Sequence, residues 1–174
     1  KIRVPSAFRV ARQGIHDAIV SASHAAKIAK AKNLKTWMTC SPDYAYGRDN
    51  TGLFVEYLKK FYPQAEIVGE AWPKLFQADY TENLTKILQA KPQALYSALW
   101  AGDLVSFVDQ SSIYNLFAQT NLFAINMADY TTLTAVKNLP AGIHSATRYI
   151  KTFPANAENA AWADAYKGKY KDFP

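Results

Sequence analysis

Apolar residues recur along the chain with two alternating periods. Over 11–32, Ile15, Ala18, Ile19, Ala22, Ala26 and Ala29 fall at three- and four-residue steps, which predicts an amphipathic helix. The run 34–40 (LKTWMTC) has the length of a strand and is broken by Ser41-Pro42-Asp43. A second helix is expected over 47–61, with Leu53, Phe54, Tyr57, Leu58 and Phe61 as its buried stripe and Pro63 as its stop. A strand over 65–72 follows. Asp79 or Thr81 is placed to cap a third helix carrying Leu84, Ile87 and Leu88, which Pro92 ends. The pattern then predicts a strand over 94–100 and a helix from Gly102-Asp103 through Val105, Phe107 and Val108 to Tyr114. A fourth strand over 122–125, a short helix or turn over 133–139 and a fifth strand over 142–149 come next. A last helix over 156–170 carries Ala160, Trp162, Ala163 and Tyr166.

Such alternation predicts an α/β fold: three α-β-α layers around a mostly parallel sheet, because a parallel crossover needs a covering helix. In open sheets of this class ligands meet the loops at the carboxyl ends of the strands. Those loops are 40–47, 72–79, 100–103, 126–130 and 148–152.

With 174 residues, 49% of them hydrophobic, the chain is long enough to bury one good core as a single domain. No apolar stretch approaches the ~18–20 residues that span a bilayer. The chain opens on Lys1-Ile2-Arg3-Val4-Pro5 without an initiating Met or an apolar leader, so it is expected to start after processing or within a longer protein. The net charge is +6, but the lysines are dispersed. Their densest group, Lys27, Lys30, Lys32 and Lys35, sits at the end of a predicted helix, where cations suit the dipole, so no nucleic-acid partner is expected. Cys40 is the single cysteine and rules out an internal disulfide. His16, His24 and His144 share no metal-ligand spacing with it, so neither a metal nor a cofactor is expected.

Enzyme signatures are missing. Gly47 and Gly52 stand alone rather than in a phosphate-cradling loop, and no serine sits in a G-x-S-x-G elbow. Cys40 reads as a small buried residue, since no histidine or base lies beside it. Asp43, Asp49, Asp79, Asp103 and Asp129 fall near helix starts, where carboxylates cap free amides. Aromatic residues, by contrast, gather in the strand-end loops: Tyr44, Tyr46, Trp72, Phe76, Trp100 and Tyr130. Packing accounts well for Trp37 and Phe107, and less well for Tyr44 and Tyr46, which lie in a polar loop. Rings that also offer a hydroxyl or an indole N–H suit a small amphipathic ligand. For Tyr46 and Trp100, ligand contact and packing both remain open.

The stretch Ser41-Pro42-Asp43-Tyr44-Ala45-Tyr46-Gly47-Arg48-Asp49 resembles the D-x-x-YG segment of type I periplasmic solute-binding proteins, the leucine/isoleucine/valine-binding family of ABC importers. Phe8-Arg9 resembles that family's hinge crossing, Leu34 to Thr39 its next strand and Asp79-Tyr80-Thr81 its helix opening. Ala90-Lys91-Pro92-Gln93-Ala94 resembles its turn, and Gly102-Asp103 through Gln110 the helix that follows. The resemblance implies a hinge segment at 1–10 and one ligand-binding lobe at 11–174, the second of two between which a solute is trapped. It implies a substrate-binding component of an ABC importer rather than an enzyme. Such a component is a monomer, periplasmic or lipid-anchored, with a small-molecule solute and an inner-membrane permease as partners. By position, Tyr46 matches the family's ligand-contacting tyrosine, and Trp100 an aromatic at the end of the third strand, with Tyr44 and Ala101 beside them. Amino-acid binders of the family carry an acidic residue after the fourth strand. Here Asn126 or Met127 occupies that place and Asp129 follows, so an aromatic or other organic acid competes with an amino acid as ligand. The alternatives are a ligand-sensing domain of the same fold in a receptor or regulator, and an α/β enzyme using Asp43 or Asp129.

Overall fold

The computed structural model describes residue 6, residues 13–147 and residues 149–172. The hinge-like Phe8-Arg9, Arg148 in a strand-end loop and the closing Phe173-Pro174 lie outside the described residues. Helices and strands alternate as α1 (Gly14–Lys32), β1 (Thr36–Cys40), α2 (Ala45–Phe61), β2 (Glu66–Ala71), α3 (Thr81–Ala90), β3 (Ala94–Ser97), α4 (Ala101–Ile113), β4 (Asn121–Ala124), α5 (Tyr130–Ala135), β5 (Ile143–His144) and α6 (Ala157–Tyr170). A short 3-10 turn, Leu116–Ala118, precedes β4. The five strands form one sheet in the order β2-β1-β3-β4-β5, and each neighbouring pair is parallel.

Side chains alternate across a strand, so each central strand feeds two cores. Trp37, Tyr96, Phe123 and Ile125 meet Ala22, Ala25, Ala26 and Ala29 of α1 and Phe54 and Leu58 of α2. Met38, Cys40, Leu95, Leu122 and Ala124 meet Leu84 and Ile87 of α3 and Leu104, Phe107 and Val108 of α4. The alanine face of α1 lets that helix lie close against α2. Phe54 stacks flat on Tyr96, with ring centroids 3.7 Å apart at 8°.

The sheet differs from expectation where side chains take over backbone partners. β3 stops at Ser97 rather than at residue 100, because the Ser41 hydroxyl accepts from Ala98 N (3.1 Å) and the Ser97 hydroxyl from Leu99 N (3.2 Å). β5 is two residues long rather than eight: the Ser145 hydroxyl donates to the Ala124 carbonyl (2.6 Å) and accepts from Ala128 N (2.9 Å), closing the ladder. The short helix starts at Tyr130 and is over by Ala135, earlier than the 133–139 expected. Phe61 is exposed, and the next residue, Tyr62, fills the buried place expected for it. Asp79 caps α3 from the residue before its N-cap, its carboxylate accepting from both Thr81 N (2.8 Å) and the Thr81 hydroxyl (2.6 Å). Those two bonds hold the Asp79 carboxyl below its usual range.

α6 buries only Ala163 among its residues. Tyr149 anchors it, ring edge against Trp162 at 4.6 Å and hydroxyl donating to Asn159 Oδ1 at 2.8 Å.

Candidate ligand-binding site

Three of the strand ends converge on one shelf. β1 runs out through Ser41 and Pro42 into α2, and Ser41 ties the neighbouring ends together: its hydroxyl accepts from Thr51 Oγ1 (2.8 Å) as well as from Ala98 N. Gly47 passes so close beneath that a Cβ there would stand 2.0 Å from the Pro42 carbonyl oxygen. Only glycine permits that approach. It sets Tyr44, the N-cap of α2, and Tyr46 in its first turn side by side, with ring centroids 5.9 Å apart.

β3 turns into α4 through Trp100 and Ala101. Ala101 has a φ of 47°, the left-handed region that an alanine enters only under strain. Trp100 is 41% exposed, and its indole Nε1 donates to the Tyr44 hydroxyl across 3.1 Å. From the end of β4, buried Asn126 donates through Nδ2 to the Leu99 carbonyl (3.0 Å) and to the Tyr46 hydroxyl (3.3 Å). Trp100–Tyr44 and Asn126–Tyr46 are therefore two hydrogen-bonded pairs drawn from three strand ends, set side by side by the Tyr44–Tyr46 ring contact, with Ala101 next to Trp100 in the chain. Asp129 stands outside that network at the N-cap position of α5, where its carbonyl accepts from Thr132 N and Leu133 N, each at 3.0 Å.

The same strand-end loops make contacts that the residue pattern did not reveal. Arg48 pairs with Asp43 (2.6 Å) and lies 3.8 Å over the Trp72 ring, while Trp72 Nε1 donates to Glu70 (3.0 Å). All of these residues were visible in the sequence, but the fold across β1 and β2 was needed to bring Trp72 to Arg48. Asp103, buried in the first turn of α4, accepts from Phe76 N at 3.0 Å and so pins the loop after β2. His24 and His144 meet at 3.4 Å although 120 residues apart, and no local signal predicted it. They line a concavity of about 200 Å³ with Val20, Ser21 and Phe123.

Little here is arranged for bond-making chemistry. Burial pushes the Cys40 thiol up to about 12, so it stays protonated and inert near neutral pH. Asp43 is paired with Arg48, and Asp103 is engaged with backbone. Among the described residues no group of three or more His, Cys, Asp or Glu side chains could hold a metal ion. No helix of the described residues is long and apolar enough to cross a membrane.

A five-stranded parallel sheet in this order, covered on both faces, is one lobe of a type I periplasmic binding fold. The chain belongs to the periplasmic binding protein family, whose model matches residues 7–174. That is a family of binding proteins, not of enzymes. Among solved structures, the chain is similar to an ABC transporter solute-binding protein from R. palustris in complex with benzoate, at 22% identity and a TM-score of 0.79 over 96% of this chain and 44% of that one. It is also similar to the leucine-, isoleucine-, valine-, threonine- and alanine-binding protein of Brucella ovis in its closed conformation (19%, 0.74, over 91% and 40%). A third is a solute-binding protein from Rhodopseudomonas palustris BisB5 in complex with 3,4-dihydroxybenzoic acid (22%, 0.69, over 93% and 43%). At these identities the likeness shows the fold alone. The chain spans 40–44% of the length of these three structures. No curated protein matches it.

Proposed function

We propose that the chain is the second lobe of the substrate-binding component of an ABC importer, and that it captures a small organic solute against the shelf of Tyr44, Tyr46, Trp100, Ala101 and Asn126. The observation that carries this reading is the half-exposed aromatic group itself. It sits where ligands meet sheets of this class and holds rings and polar tips together without any catalytic arrangement. Family membership and the ABC transporter solute-binding proteins of like fold support it. On this reading the protein is extracytoplasmic, acts as a monomer and delivers its solute to a membrane permease. Asp129, whose backbone N donates to the Asn126 carbonyl at 3.3 Å, is a candidate for holding an ammonium group.

A lobe of this kind binds by closing, and a solute favours closure only through its higher affinity for the closed state. Thermal melting of the whole gene product against amino acids, aromatic and aliphatic carboxylates, amides and sugars tests the proposal. A solute at about a thousand times its dissociation constant adds ~4 kcal/mol of stability, a rise of several degrees. One class is expected to give that rise. Trp100→Ala is expected to weaken the response without lowering the ligand-free midpoint by more than a degree or two, since the ring is half in solvent. A flat response to every class would remove the proposal.

A further inference from the structure

Each phenol oxygen on the shelf already has a donor. An indole N–H only donates, so across 3.1 Å Trp100 is the donor and Tyr44 the acceptor. The Leu99 carbonyl, 3.0 Å from Asn126 Nδ2, fixes which end of that amide is the NH2 group, because an amide oxygen there would face another oxygen. The same NH2 group reaches the Tyr46 hydroxyl, so that oxygen accepts as well. Each phenol keeps one hydrogen, and neither meets an acceptor among the described residues. Two O–H donors on rings 5.9 Å apart are thus left for a ligand. Of the carboxylates near these residues in the chain, Asp43 is engaged by Arg48 and Asp103 by Phe76 N, while Asp129 stands at the N-cap position of α5. At the turn after β4 the chain places Asn126 with its NH2 group turned to Tyr46.

We propose that this lobe reads the carboxylate of a small organic acid, through hydrogen bonds donated by Tyr44 and Tyr46, with Trp100 and Asn126 as positioning residues that aim the two phenols. The inference rests on the solute-binding reading and narrows its ligand. Bonds from a neutral donor to an anionic oxygen are shorter and stronger than neutral pairs, so two of them discriminate an acid from its amide. An ammonium group would find phenol oxygens that each already accept one bond, and so offer it less than they offer an anion.

Calorimetric titration of the whole gene product with benzoate, hexanoate, benzamide, benzylamine and leucine is the test. At least one acid is expected to bind, with its neutral amide at least tenfold weaker. Tyr44→Phe and Tyr46→Phe are each expected to weaken the acid tenfold or more. Both should narrow the acid-to-amide ratio and leave the ligand-free melting temperature within about a degree. Trp100→Phe keeps a ring but removes the donor that orients Tyr44, and should lower acid affinity by a smaller factor. Acid affinity unchanged in both tyrosine variants overturns the inference and leaves the solute-binding reading standing. So does tightest binding by benzylamine or leucine that is lost in Asp129→Asn, or by a neutral solute. No response to any probe or to the wider panel overturns both.

Discussion

Backbone demands at single residues explain much of the shelf. Gly47 is the sharpest case, since its Cβ would lie 2.0 Å from a backbone oxygen that has no rotamer to escape into. Gly47→Ala is expected to cost about 2–3 kcal/mol, as overpacking does, and to lower the melting temperature by several degrees. Phe76 shows the opposite balance. It is 80% exposed and has a φ of 59°, so it contributes little packing while its backbone is strained. Phe76→Gly is expected to leave stability unchanged or raise it by up to ~1 kcal/mol, read from the midpoint of urea unfolding. His144 carries a pH signature. Burial first, then His24 and Lys32, pushes its pKa below the ordinary 6.5. The folded chain then holds the proton less readily than the unfolded chain. The stability this contributes is complete above about pH 6.5 and is lost as pH falls through the folded value. The melting temperature should drop between pH 7.5 and 5.5, and His144→Gln should flatten that part of the profile. Tyr46 and Trp100 were readable as candidates because aromatic residues in a polar loop need a reason. The His24–His144 contact was not, because nothing local links two residues 120 apart.

At the scale of elements, strong periodicity carried through to the structure and short-range chemistry set the ends. The alanine steps of α1 and the apolar runs of β1 and β4 were legible because burial on one or both faces leaves a repeat in the residues. The lengths of β3 and β5 were not, since serine hydroxyls at 41, 97 and 145 replace ladder bonds, and a serine carries no periodic signal. The free edge of β2 is guarded. Glu66 and Glu70 are exposed along it, and Lys86 Nζ donates to the Glu70 carbonyl at 2.6 Å, which blunts pairing with another chain. The contact between α2 and the sheet centres on Phe54, wholly buried and stacked on Tyr96. Phe54→Ala is expected to destabilise by about 3–5 kcal/mol, measured by urea unfolding, because the rigid ring of Tyr96 cannot close the space. As α2 also carries Tyr44 and Tyr46, solute affinity should fall in the same variant.

For the whole molecule, the layer order was legible from the alternation of helix and strand, and the family from motifs in the right sequence order. The site was only half legible. Tyr44, Tyr46, Trp100, Ala101 and Asn126 were each proposed by position, but the hydrogen bonds of Tyr44, Tyr46, Trp100 and Asn126 depend on how three separate strand ends meet, which no linear spacing encodes. On the proposed reading, the aromatic shelf is one wall of a cleft between two lobes. Solute capture at that wall is the central claim, and the indole N–H of Trp100 reports on it directly. Its resonance in the isotope-labelled whole gene product, assigned by comparison with Trp100→Phe, should be followed while the solute panel is titrated in. A solute that shifts this resonance at saturation, while those of Trp37 and Trp162 stay in place, is the predicted result. No solute shifting it, or a bound solute that moves the other indoles and leaves Trp100 untouched, would contradict the account.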